Sequence, residues 1–225
     1  MDEEYNLREM VSRQISQRGI GDFRVISVMN TVRRDLFIPL ERRSEAFGDH
    51  PVLIGYGQTI SQPYIIALMT ASLSLTGAEK VLEVGTGCGY QTAILSKLAA
   101  MVHTVEIRDQ LHRTARENLP PVEYGNIRFH LGDGFDGVPE EAPFDRIIVT
   151  AAAPAVPAPL VNQLANGGKM VIPVDDARGG GQTLVLIEKR GNEFMTTPIC
   201  PVRFVPMIGR ARKEGKSSCN RRTQR

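Results

Sequence analysis

Residues 81–93 read V-L-E-V-G-T-G-C-G-Y-Q-T-A, and the reading of this stretch decides the fold. A short apolar run breaks into Gly85, Gly87 and Gly89, and from Tyr90 to Leu98 polar and apolar residues alternate at helical spacing. This is the pattern of a strand, a glycine turn and a helix start, a local design that seats a nucleoside cofactor at a helix N-terminus. Glycine suits the turn because the backbone must bend sharply and admit a ligand where a Cβ would clash. The dinucleotide fingerprint G-x-G-x-x-G would need its third glycine at position 90, which is Tyr90. The pattern here is G-x-G-x-G, which points away from a pyrophosphate ligand.

Downstream of this turn the chain alternates strand and helix. The apolar periodicities predict strands over 80–84, 102–106, 127–131, 146–150 and 169–173, with helices over 90–99, 108–119 and 158–164. Short Val- and Ile-rich strands separated by helices imply a mostly parallel, doubly wound α/β sheet covered on both faces, of Rossmann-like type. After Gly179-Gly180-Gly181, strands over 184–188 and about 195–204 follow with no crossover helix between them, so an antiparallel edge is expected. Upstream, residues 1–76 read as an N-terminal helical cap. Leu7, Met10, Val11 and Ile15 share one helix face, and Val25, Ile26, Val28, Met29 and Val32 share another. Pro39 stops the second helix, 39–57 reads as a structured loop, and a third helix opens at 60–63 and runs to Leu75.

At 225 residues the chain has the size of one domain, read here as 1–209 with the cofactor-binding core over 77–209. No apolar run approaches the roughly 18–20 residues that cross a membrane, and the start M-D-E-E-Y-N is not a secretory signal. Cys88, Cys200 and Cys219 are too few and too scattered for a disulfide framework or a zinc site, so no metal is expected and a reducing cytoplasm fits. The net charge of +2 is unevenly spread: residues 210–225 hold seven Lys/Arg and one Glu, which leaves 20 basic and 24 acidic residues in the body. The body thus carries no basic stripe of a nucleic-acid protein, and the basic end reads as a disordered tail.

Four positions converge at the carboxyl ends of the strands, where ligands sit in such sheets. The glycine turn is the first. Glu106 ends the second strand, 21 residues after Gly85, where a carboxylate can accept both ribose hydroxyls. Asp133, between Gly132 and Gly134, can accept from the exocyclic amine of adenine. A nucleoside without phosphates matches S-adenosylmethionine better than a nicotinamide dinucleotide. The fourth is Thr59-Ile60-Ser61-Gln62-Pro63, where Ser61 reads either as the N-cap of the following helix or as a donor to a substrate carboxylate, and the two are compatible.

Taken together, G-Q-T-I-S-Q-P at 57–63, V-L-E-V-G-T-G-C-G-Y at 81–90, G-D-G at 132–134, F-D-R-I-I-V-T-A-A-A-P at 144–154, Q-L-A-N-G-G-K-M-V-I-P at 163–173 and V-R-F-V-P at 202–206 resemble the bacterial protein-L-isoaspartate O-methyltransferases. The resemblance covers about 7–209. It implies a repair enzyme that methylates the free α-carboxylate of L-isoaspartyl residues in damaged proteins and peptides, with S-adenosylmethionine as methyl donor. By matching positions it makes Ser61 the active-site residue. Thr59, Gly85, Gly87, Gly89, Glu106, Asp133 and Gly134 would line the cofactor, and Phe204, Val205 and Pro206 would lie near the peptide. A monomer is expected. Cys88 stands where a serine is common, and the basic tail goes beyond the family's usual end.

A carboxylate with a pKa near ~4 is ionised at neutral pH, so the reaction needs alignment and water exclusion rather than a general base. His50, His103, His112 and His130 are accordingly read as structural or surface residues. The rival readings are a methyltransferase of a small molecule or nucleic acid and a non-catalytic cofactor-binding module. The first is disfavoured because T-A-A-A-P stands where amino methyltransferases carry N/D-P-P-Y/F, and the second would bind the cofactor without transferring methyl.

Overall fold

The computed structural model describes residues 3–176, 179–191 and 193–211; the remainder of the basic end, 212–225, lies outside the described residues. Seven strands form the main sheet: β3 (Lys80–Val84), β4 (Met101–Glu106), β5 (Ile127–Leu131), β6 (Phe144–Val149), β7 (Leu164–Asp175), β8 (Gln182–Arg190) and β9 (Glu193–Val202). Their spatial order is β5-β4-β3-β6-β7-β8-β9. The first five are parallel, whereas β8 pairs antiparallel with both β7 and β9, so the expected antiparallel edge is two strands wide. The chain steps outward from β3 to β5, then returns to lay β6 on the other side of β3. That reversal opens a crevice at the carboxyl ends of β3 and β6.

Period-two alternation divides the core between the two sheet faces. Val81, Val102, Ile148 and Val171 pack on one side with α4 (Tyr90–Ser96), α5 (Asp109–Asn118) and the N-terminal region. Leu82, Val84, Ile147, Val149 and Met170 pack on the other, beneath α6 (Ala158–Gln163) and the segment around Phe135 and Val138. Each such side chain, fully withdrawn from water, contributes about 1.5–3 kcal/mol.

The N-terminal cap departs from its sequence reading in two places. α1 (Glu3–Gln14) forms as expected, but α2 (Phe23–Met29), capped by the Asp22 carboxylate, ends before Val32. Asn30 and Thr31 donate side-chain hydrogen bonds to the Ile26 and Val28 carbonyls, closing the helix, and a 3-10 turn over Arg34–Phe37 follows. The segment read as a loop contains a second turn at Leu40–Glu45 and a short antiparallel hairpin, β1 (Val52–Gly55) and β2 (Gln58–Ile60). Its strands are too short for alternation to register in the sequence. α3 (Pro63–Ser72) then packs on the same sheet face.

Arg210 and Ala211, assigned to the tail from composition, belong to the body. Ala211 is buried in the second core cluster, and Arg210 forms an ion pair with Asp136.

Candidate active site

The glycine turn is held from both neighbouring strands. Gly85 donates its N–H to the Val105 carbonyl at 2.9 Å, and the Thr150 hydroxyl donates to the Gly85 carbonyl at 2.7 Å. At φ +95°, Gly85 occupies backbone space that L side chains avoid, and an added Cβ would lie 2.4 Å from the Thr150 Oγ1. Gly87, at φ +57°, aims its N–H at Glu106 Oε2 over 2.9 Å. The other carboxylate oxygen, Oε1, accepts from the Arg108 N–H at 3.0 Å. Each oxygen retains acceptor capacity, so two backbone donors fix the carboxylate while it can still accept two hydroxyls.

Around this turn lies a cavity with about 580 Å³ of empty space, part of it open to solvent. Of the residues read as cofactor-binding, Thr59, Gly85, Gly87, Glu106 and Gly134 line it. The cradle suits a nucleoside: bare backbone at two glycines, a carboxylate held at the strand end, and an apolar wall of Val84, Val105, Met207 and Ile208.

Two predicted cofactor residues lie elsewhere. Gly89 does not line this cavity; it precedes α4 at φ +92° and faces Leu119 on the far side of the turn. Asp133 also stands outside the lining. Its Oδ1 accepts from the Phe135 N–H at 3.0 Å and its Oδ2 from the Arg210 N–H at 2.8 Å. Asp133 therefore anchors the chain that follows Phe204, whose residues 205–208 close one wall of the cavity.

A second, smaller cavity is lined by Ser61, Thr86, Cys88, Tyr90 and Gln91, among others. A cleft with about 930 Å³ of empty space runs beyond it past Ser61, Gln62, Ile65, Arg203, Phe204 and Val205. Thr59 and Thr150 line all three spaces, and Ser61 lines the second and third. Pro206, expected beside the peptide, lines the cofactor cavity instead; Val205 borders both.

The N-cap reading of Ser61 is corrected. Gln62 occupies the N-cap of α3 and Pro63 follows it, and no side chain caps the helix. Proline at the first helical position has no N–H to satisfy, which removes part of the need for a cap. Gln62 instead donates to Asp49 Oδ1 at 2.8 Å, tying the start of α3 to the cap. The Ser61 hydroxyl forms no hydrogen bond among the described residues.

Beneath the turn lies a polar network that the sequence reading missed. Glu83, fully buried in β3, accepts at Oε2 from the hydroxyls of Thr92 and Thr104, and Thr104 pairs with Thr86 in the turn at 2.6 Å. Burial pushes the Glu83 carboxyl up to about 8 against the opposing pull of the two threonine hydroxyls. An acid inside an otherwise apolar central strand was the available signal. Thr150 was also missed, although it directly follows β6 at the switch point. Burial raises the Cys88 thiol to about 11, which makes it a small inert side chain rather than a nucleophile. None of the four histidines lines these three spaces; His103 and His130 stack on each other, and burial lowers the pKa of His103.

Comparison with known proteins adds the following. The family model described as Protein-L-isoaspartate(D-aspartate) O-methyltransferase matches residues 5–212. A protein-L-isoaspartate O-methyltransferase of Roseiflexus castenholzii is 46% identical over 206 residues, covering 91% of this chain and 93% of that protein. One from an Anaeromyxobacter species is 50% identical over 202 residues, covering 88% and 94%. A solved structure from Plasmodium falciparum, described as a protein-L-isoaspartate O-methyltransferase in complex with S-adenosyl-L-homocysteine, superposes with a TM-score of 0.78 at 26% identity over 90% of this chain and 98% of that one.

Proposed function

The chain belongs to the protein-L-isoaspartate(D-aspartate) O-methyltransferase family, and from that premise we propose how its residues divide the work of the reaction. The activity is that of a repair methyltransferase, which moves a methyl group from S-adenosylmethionine to the free α-carboxylate of an L-isoaspartyl residue in a damaged protein or peptide. Gly85, Gly87, Gly134 and Glu106 hold the cofactor, with Glu106 accepting from the ribose hydroxyls. Once bound, S-adenosylmethionine supplies an electrophilic methyl group on a sulfonium.

Everything else falls to positioning. Phe204 and Val205 form the peptide wall of the cleft, with Phe204 held through its N–H to Gln182 Oε1 at 2.6 Å. Ser61 donates its hydroxyl proton to one oxygen of the substrate carboxylate and so orients the other oxygen toward the methyl group. Thr59 separates the two chambers. The carboxylate arrives ionised, so no residue has to remove a proton. The observation that carries this division is the shared wall: Thr59 and Thr150 border the glycine-turn cavity and the Ser61 cleft alike.

The body, extended from the expected 1–209 to include Arg210 and Ala211, acts as one methyltransferase unit in this reading, with 1–76 as the cap. The enzyme works as a cytoplasmic monomer. Among the described residues no helix is long and apolar enough to cross a membrane, and Cys88 and Cys200 are both free thiols.

The test is transfer of labelled methyl to an isoaspartyl peptide, with the matching aspartyl peptide as control. Labelling of the isoaspartyl peptide alone is expected, and the label should be lost in mild base as a carboxyl ester is. Equal labelling of both peptides, or of neither, overturns the assignment.

A further inference from the structure

Arg34 is fully buried, an expensive place for a guanidinium unless something stabilises the charge. Two contacts do so. Its Nε donates to the Ala46 carbonyl at 2.8 Å, and its guanidinium carbon lies 5.3 Å from the centre of the Tyr90 ring. That is within the reach of a cation–π interaction, which is strongest where water is excluded. Phe37 packs against the same ring edge-to-face, with ring centroids 5.4 Å apart. Tyr90, 1% exposed, is thus gripped by the turn at Arg34–Phe37.

Tyr90 is the first residue of α4, directly after Gly89 in its left-handed conformation. Two more cap residues touch the same short region. Thr70 of α3 accepts from the Gln91 side chain at 3.0 Å, and Ile54 of β1 stands where a Cβ on Gly87 would meet it at 3.3 Å. Of these cap contacts, Arg34 alone brings a charge. A shift of Tyr90 would move Gly89 and, through the tight turn, the Gly87 N–H that fixes Glu106.

We propose that Arg34 is a positioning residue for the cofactor, acting through the Tyr90 ring to hold the glycine turn in its binding geometry. The cap, which carries Ser61 and Thr59 at one end, thereby also sets the shape of the cofactor site from behind. The inference rests on the assignment of the glycine turn to S-adenosylmethionine.

The experiment measures binding of S-adenosylmethionine and S-adenosylhomocysteine by calorimetry at 25 °C, together with the KM of an isoaspartyl peptide at saturating cofactor. Arg34→Met is expected to weaken both cofactors by roughly 10–30-fold, the scale of a desolvated cation–π contact, with the peptide KM within about twofold of wild type. Tyr90→Leu should do the same. The double variant should bind no more weakly than the weaker single, because both lose one contact. Tyr90→Phe keeps the ring and should bind as wild type does. Cofactor binding within twofold of wild type in Arg34→Met, or effects that multiply in the double variant, would overturn the proposal and mark Arg34 as a fold residue only. If Arg34→Met does not fold, Arg34→Lys decides. A cation retained beneath the ring should keep affinity within about threefold despite a lower Tm, and a loss of tenfold or more would overturn the proposal. Wild-type protein that binds neither cofactor would instead refute the cofactor assignment itself.

Discussion

The two halves of the active site are built by different means. The cofactor half grows from the carboxyl ends of β3 and β4, where backbone geometry does the work: a glycine at φ +95°, one N–H aimed at Glu106, a carbonyl held by Thr150. The peptide half is assembled from pieces far apart in the chain, a short hairpin before α3 and the segment that follows β9. In the first half, atoms are fixed by the sheet that also stabilises the fold. In the second, Ser61 has no hydrogen-bond partner among the described residues, and its surroundings come from Gln62–Asp49 and Phe204–Gln182 contacts. Substitutions in the cofactor half should therefore damage folding and binding together, and those in the peptide half should damage chemistry alone.

The largest expected effect tests that contrast directly. In Gly85→Val, a Cβ would stand 2.4 Å from the Thr150 hydroxyl at a φ that valine avoids. Binding of S-adenosylhomocysteine should fall by at least about 100-fold and the Tm should drop by several degrees, as read by calorimetry and thermal unfolding. Near-wild-type affinity would show that the cradle is not the cofactor site. Ser61→Ala comes next: kcat should fall by roughly 10–100-fold, the scale of one lost hydrogen bond to a charged group. Cofactor affinity and Tm should stay near wild type, because Ser61 caps no helix and does not line the cofactor cavity. Unchanged kcat would remove Ser61 from the chemistry.

A smaller effect probes the seam between the halves. Asp133 holds the Arg210 N–H from the end of β5, and with it the wall formed by residues 205–208. Asp133→Ala should loosen that wall and weaken cofactor binding about tenfold. Truncation before Arg210 should reproduce the loss if the anchor is what matters. A truncation that leaves affinity unchanged while Asp133→Ala weakens it would restore Asp133 to the adenine.

The same contrast governs what could be read in advance. G-x-G-x-G, Glu106 and the parallel strands were legible because their chemistry is local: a turn needs glycine, a strand end needs an acid, and strands alternate with period two. Asp133 was legible as an acid after a strand, but its hydrogen bond to the Arg210 N–H, 77 residues away, was not. The hairpin was hidden by strands of four and three residues. Gly89 was read with Gly85 and Gly87 as one G-x-G-x-G turn, and spacing alone does not show that it faces Leu119 while Gly85 and Gly87 line the cavity.

Glu83 gives the last test, with the smallest effect expected on activity, since it separates stability from catalysis within the cofactor half. Its pKa is about 8 when folded and near 4.5 when unfolded. A group whose folded pKa is raised contributes stability that is complete below the unfolded value and is lost as pH rises toward the folded one. Glu83 therefore makes wild type less stable at pH 8 than at pH 5. Glu83→Gln, which keeps an acceptor for Thr92 and Thr104 but cannot ionise, should abolish that component, so the difference in Tm between variant and wild type should move in the variant's favour by several degrees across this interval, at about 1.4 kcal/mol per pH unit titrated and about 2–4 °C per kcal/mol. A constant difference would mean that Glu83 does not titrate there. Wild-type kcat, by contrast, should vary little between about pH 6.5 and 8.5, because the reacting carboxylate is already ionised and Glu83 lies beneath the turn rather than in the cavity. A steep sigmoid in kcat with an unchanged Tm would place a titrating group in the chemistry and break the division between a half that holds and a half that reacts.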